Sequence, residues 1–200
     1  MRGDYQLVLL AVTVMPVHRC QDITAFLQGQ THVMSLLQHV AALDVDDCWI
    51  GAGLIRNAIW DHLHGMPVEL VPGSDVDVVY YESADTSPTR DLAIEKRLFN
   101  ALPAIPWSVH NQARMHEANA DAPYRNVADA ISYWPETATA IAARIISDKV
   151  EIVAPHGIDD LVGMVVRPSP NFTHKLSIYR NRIATKKWAQ RWPGLQFIDT

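Results

Sequence analysis

The sequence predicts one layered domain, of α/β or α+β class, in which helices pack on a β-sheet. Three observations lead there. Short runs of β-branched and aromatic residues alternate with longer stretches of helical spacing. Gly and Pro clusters separate these segments, with no internal repeat or low-complexity tract between them. The 200 residues, 48% hydrophobic and 20% charged, suffice to bury one core.

In chain order, residues 7–15 form an apolar run of nine with Thr13 inside, too short to span a bilayer. Asp4 dilutes the positive start of a signal peptide, so residues 1–20 read as an extension and 21–200 as the domain. Ile23, Phe26, Leu27, Val33, Leu36, Leu37 and Val40 are spaced for an amphipathic helical region over 22–43, broken near Gly29. After the polar turn 44–47, Cys48-Trp49-Ile50 reads as a strand, Gly51-Ala52-Gly53 as a corner, and 54–63 as a helix. Residues 65–73, with Pro67 and Pro72, form a loop, and 75–81 a second strand. Helical spacing resumes over 89–102 and stops at Pro103. A short strand is expected at 107–110, then helices over 111–118, 127–134 and 137–144. A strand at 149–154, a short helix at 158–165 and one basic helix over 173–192 complete the pattern.

The net charge of −5 and pI near 5.9 argue against broad binding to nucleic acid or anionic membranes. Accordingly neither is an expected partner. The basic final helix, with Tyr179, Trp188 and Trp192, reads as a solvated face with aromatics packed inward; contact with nucleic acid is the alternative. Cys20 and Cys48 form no CxxC and have no Cys/His neighbours, which excludes a zinc ribbon and fits a reducing cytoplasm. Trp60, Trp107 and Trp134 are expected as core anchors.

Two stretches carry chemistry. Asp75 and Asp77 are two apart at the start of a strand and so share a face. Paired like charges are stabilised by a hard cation such as Mg²⁺ or Mn²⁺; the bland alternative is a solvated start of a strand. Upstream, the 51–53 corner presents backbone N–H groups at the positive end of a helix, suited to an anion, or is only a tight turn needing glycine. A dinucleotide fingerprint fits poorly, because Arg56 takes the place of its third glycine and the acids begin their strand rather than end it. A triphosphate site fits better, with Arg56 one turn into the helix as a bidentate donor. The scattered histidines, His62, His64, His110 and His116, show no ligand spacing.

The order of glycine corner, helix and Asp-x-Asp strand resembles the DNA polymerase β-like nucleotidyltransferase superfamily. More narrowly, Trp49–Asn57, Ser74–Tyr80, Asn111–His116, Trp134–Thr139 and Ala154–Leu161 are similar to a bacterial nucleotidyltransferase-like family, over about residues 23–198. The resemblance implies an α+β fold: a mixed sheet flanked by helices, with a C-terminal helix. It implies Gly51 and Gly53 at the phosphates of a bound NTP and Asp75 and Asp77 on divalent metal; Arg56 and Ser74 are the further expected nucleotide-binding residues. The implied reaction passes a nucleoside monophosphate to a small-molecule or protein acceptor, with two ions about 3.5–4 Å apart across the reacting oxygens. The superfamily's usual third carboxylate has no counterpart on the 107–111 strand. Asn111 is the expected stand-in as a ligand, and Glu82 and Glu151 are weaker substitutes. A nucleotide-binding protein without transfer activity is the second reading.

Overall fold

The computed structural model describes residues 17–199. Residues 1–16, most of the expected extension, lie outside the described residues. The elements are α1 (Cys20–Gln28), α2 (Thr31–Ala41), β1 (Cys48–Gly51), α3 (Gly53–Leu63), β2 (Val76–Tyr80), α4 (Pro88–Ala101), β3 (Trp107–Asn111), α5 (Gln112–Asn119), α6 (Val127–Ile131), β4 (Ala142–Ile146), β5 (Lys149–Val153), α7 (Asp159–Val162) and β6 (Val165–Val166). A 3₁₀ turn (Pro170–Lys175), α8 (Leu176–Lys186), α9 (Trp188–Arg191) and β7 (Gln196–Phe197) follow. Among these residues no helix is long and apolar enough to cross a membrane.

The central sheet runs β3-β2-β1-β4-β5. β2 and β3 are parallel and the other neighbours antiparallel, so the sheet is mixed, as the α+β expectation requires. Strand alternation sends each face to a different environment. Val76, Val78 and Tyr80 join Ile50, Val109, Ile55 and Ile59 in the main core. Asp77 and Val79 point to the other face, where Trp49, Val79, Val127 and Ile131 make only a small cluster. That face is left open as a cleft.

Two expectations fail. Residues 137–144 are not a helix: 142–146 form β4, which hairpins to β5 through Ser147 (φ 48°) and Asp148 (φ 62°). Both turn residues have positive φ, which matches the twist of the flanking strands and breaks any helix there. The basic helix is likewise not continuous: Lys187 at φ 50° separates α8 from α9. The break turns Trp188 and Trp192 onto Trp60, at ring distances of 5.6 and 5.2 Å, edge to face.

Candidate functional site

The corner between β1 and α3 has its unusual backbone at Ala52, φ 50° and ψ −117°, not at either glycine. Gly51 is required for another reason. A Cβ there would stand 2.6 Å from Cη2 of Trp134, whose indole lies against the strand end. A Cβ at Gly53 would meet nothing nearer than 3.8 Å. The Ala52 amide donates to Ile141 O at 3.0 Å and fixes the corner against the sheet. No side chain caps α3, so the amides of its first turn, at the positive end of the helix, have no side-chain partner.

Asp75 is exposed just before β2, and Asp77 is half-buried on its cleft face. Neither is in an ion pair with a described residue. Burial, and then the charge of Asp75, raise the Asp77 carboxyl above its ordinary pKa; His110, Arg56 and Arg182 pull it back. Asp77 and Ala52 line one cleft of about 620 Å³, together with His110, Trp134, Thr139 and Arg182. Asp77 and the corner residue Ala52 therefore share one cleft, while Asp75 stands outside its lining.

Other expected residues stand elsewhere. Arg56 is 5% exposed and does not line the cleft. Its Nη1 donates to Thr139 Oγ1 at 2.8 Å, its Nη2 to Asn57 Oδ1 at 2.9 Å, and its guanidinium lies 4.3 Å from the Trp188 ring centroid. Burial pulls its pKa down to about 10, opposed by Glu136, so it stays charged at neutral pH. It braces the wall through Thr139, and its Nη2 would lie 3.9 Å from a Cβ on Gly53. Ser74 is half-buried in the turn, its amide on Val71 O, outside the lining.

Asn111 is on the opposite face, paired with Tyr80, and has no exposed surface. Its amide donates to Glu82 O at 2.7 Å and Asp85 O at 2.9 Å, and accepts from Glu82 N and Ala113 N. With its oxygen and nitrogen so occupied, it latches the 82–85 loop to α5 and cannot ligate a metal in the cleft. Glu82 pairs with Arg90 and Glu151 with Arg144, and neither lines the cleft. The β3 residue that does is His110, whose Nε2 is 3.0 Å from Ser108 Oγ. Register explains the one-residue error. Asp77 pairs with Ser108 and Val79 with His110, so alternation puts 108 and 110, not 111, on Asp77's face.

Arg114, His62 and His64 are held by contacts within the fold. Arg114 pairs with Asp91, which also accepts from Tyr80 Oη at 2.7 Å. His62 stacks on Phe26, and His64 bridges Trp60 O and Gly194 N. Among the described residues no three or more His, Cys, Asp or Glu side chains are grouped as a metal cluster. Sequence reasoning missed the far wall, made of Trp134, Thr139, Lys175 and Arg182. Trp134, expected as a core anchor, is half-buried and faces the cleft. The only local signal for this wall was the 134–139 block.

Residues 38–197 match a family model described as nucleotidyltransferase. The chain belongs to this nucleotidyltransferase family. The chain is similar to a protein whose NMR structure reveals a CCA-adding enzyme head domain, at 30% identity and TM-score 0.82, over 94% of this chain and 100% of that one. It also resembles the Thermotoga maritima CCA-adding enzyme complexed with tRNA (14% identity, TM-score 0.56, covering 92% of this chain) and a CCA-adding enzyme in complex with CTP (12%, 0.55, 90%). At those identities the last two show the fold alone, and the nucleotidyltransferase chain spans 43% of each. No curated protein matches.

Proposed function

We propose that the cleft binds an NTP with a divalent cation and transfers its nucleoside monophosphate to an acceptor hydroxyl. One observation carries this reading: the half-buried Asp77 carboxylate, in no ion pair, lines the same cleft as Ala52, the residue that leads into α3. Membership of the nucleotidyltransferase family supports the reaction class.

The residues fit Mg²⁺ or Mn²⁺. Asp75 and Asp77 offer hard oxygens that repel one another and have no ion-pair partner among the described residues; burial, then the Asp75 charge, raise the pKa of Asp77. A divalent cation held there would supply charge neutralisation for the polyphosphate and acceptor oxygens. The chain's own groups do the rest. The α3 amides bind phosphate, Arg56 fixes the Thr139 hydroxyl on the cleft wall, and Tyr133, Trp134 and Phe172 offer flat surfaces to a base. The acceptor oxygen bonds to the α-phosphorus and loses its proton to solvent, the bond from that phosphorus to the oxygen bridging the β-phosphate breaks, and pyrophosphate leaves. His110 and Ser108 are the hydrogen-bonding groups nearest the acids on β3 and orient the acceptor hydroxyl.

The acceptor class stays broad: a small molecule or a protein, and also an RNA end. The acidic composition argued against nucleic acid, yet a relative of the same fold is complexed with tRNA. The reaction takes NTP and Mg²⁺, both of which the cytoplasm supplies, and the reading places the protein there. The second reading, nucleotide binding without transfer, is favoured by the lack of a carboxylate on the cleft face of β3. The test is α-phosphate-labelled NTP with Mg²⁺, presented with metabolite, protein and RNA pools. Label transferred by wild type and not by Asp77→Asn supports the proposal. Saturable NTP binding with no label on any pool selects the second reading.

A further inference from the structure

The wall opposite the acids holds an arginine to which nothing yet assigns a role. Arg182 on α8 lines the cleft with Asp77, its side chain 30% exposed. Its Nε donates to Glu136 Oε1 at 2.7 Å, and Glu136 has no exposed surface. Its guanidinium carbon lies 5.5 Å from the Trp188 ring centroid, and that of Arg56 lies 4.3 Å from the same centroid. Nε and the ring hold the guanidinium in one orientation before any ligand arrives.

Charge and donors both point the same way. Glu136 is one buried carboxylate facing two guanidinium groups, Arg56 and Arg182, so against Glu136 alone this wall has one positive charge in excess, felt by Asp77 in the same cleft. Arg56 spends both Nη atoms on Thr139 and Asn57. Arg182 spends only Nε, and its two Nη atoms bond no described residue. The other cation of the lining, Lys175, is already paired with Asp121 at 2.6 Å. A pinned guanidinium with its outer fork free matches two oxygens of a phosphate. The surplus charge faces the cleft, where the acids would be occupied by metal.

We propose that Arg182 is the side chain that grips the polyphosphate of the NTP, across the cleft from the Asp75–Asp77 metal site. This rests on the NTP reading above but assigns a separate contact. It gives the role expected of Arg56 to a residue 126 positions further along the chain.

The test is calorimetric titration of the full chain with tripolyphosphate and with Mg²⁺–NTP. Arg182→Gln should weaken both at least tenfold, and Arg182→Lys, a point charge without a fork, should fall between it and wild type. Arg182→Gln/Glu136→Gln removes the carboxylate that the single change leaves unpaired, and should show the same loss with the fold intact by circular dichroism. Lys186→Gln, which removes an exposed charge from the same helix, should bind as wild type. Wild-type affinity in folded Arg182→Gln/Glu136→Gln overturns the proposal. If that happens while Asp77→Asn still abolishes Mg²⁺-dependent NTP binding, the NTP reading survives and only the Arg182 assignment falls. If wild type binds no NTP, both fall.

Discussion

Replacing Gly51 by Ala tests why a glycine ends β1. The added Cβ would lie 2.6 Å from Trp134 Cη2, 3.2 Å from Cζ3 and 3.7 Å from Ala142 Cβ. The first distance is far inside van der Waals contact, and the obstacle is the rigid benzo ring of an indole. Overpacking of this kind costs about 1–3 kcal/mol. For a domain of this size about 1 kcal/mol moves Tm by about 2–4 °C, so the drop should be about 2–12 °C. Thermal and denaturant unfolding followed by circular dichroism would measure it. The control is Trp134→Phe, which lacks both clashing atoms. The double variant should recover most of the loss, with a coupling of about 1 kcal/mol or more. Gly53→Ala, whose Cβ is in open contact, should stay within about 0.5 kcal/mol of wild type. Wild-type stability of Gly51→Ala, or additive behaviour of the pair, would refute the reasoning.

Ala52 adopts a conformation that glycine reaches freely, so Ala52→Gly should stabilise the fold by about 1 kcal/mol in urea unfolding; a loss of stability would contradict strain at the corner. Asn111→Ala strips four backbone groups of their partner and should destabilise by about 2–4 kcal/mol, while the folded fraction keeps wild-type affinity for Mg²⁺–NTP. A selective loss of metal-dependent binding would instead return Asn111 to the site. Asp77 gives a pH signature in chelator. Its folded pKa is raised, chiefly by burial, so its ionised form costs stability above that pKa and the cost disappears as pH falls below the ordinary carboxylate range. Asp77→Asn should therefore melt higher than wild type at pH 7, with the gap closing on acidification; a gap that widens on acidification would contradict the raised pKa.

The helices α1 to α4 and the strands β1 to β3 were legible because each carries its own period, as with Leu36, Leu37 and Val40 on α2. That Asp77 and the corner at Ala52 share one cleft follows from the same local patterns, a strand that alternates faces and a turn that joins strand to helix. β4 was not, since Ala142-Ala143 has weak strand preference and the Ser147-Asp148 turn lacks the usual Asn-Gly signal. The far wall was not legible either. Arg56 meets Thr139 across 83 positions and Arg182 meets Glu136 across 46, pairings set by how whole layers pack. Arg56 looked like a phosphate donor from its place in the helix. Only the packing of Trp60 and Trp188 around it reveals a buried brace.

The central claim is that Asp75 and Asp77 hold a divalent cation against an NTP lying on the α3 corner. Calorimetric titration of NTP into wild type and into Asp77→Asn, each with Mg²⁺ and with chelator, tests it most directly. The account predicts saturable binding only for wild type with Mg²⁺. Equal affinity in all four titrations would contradict it.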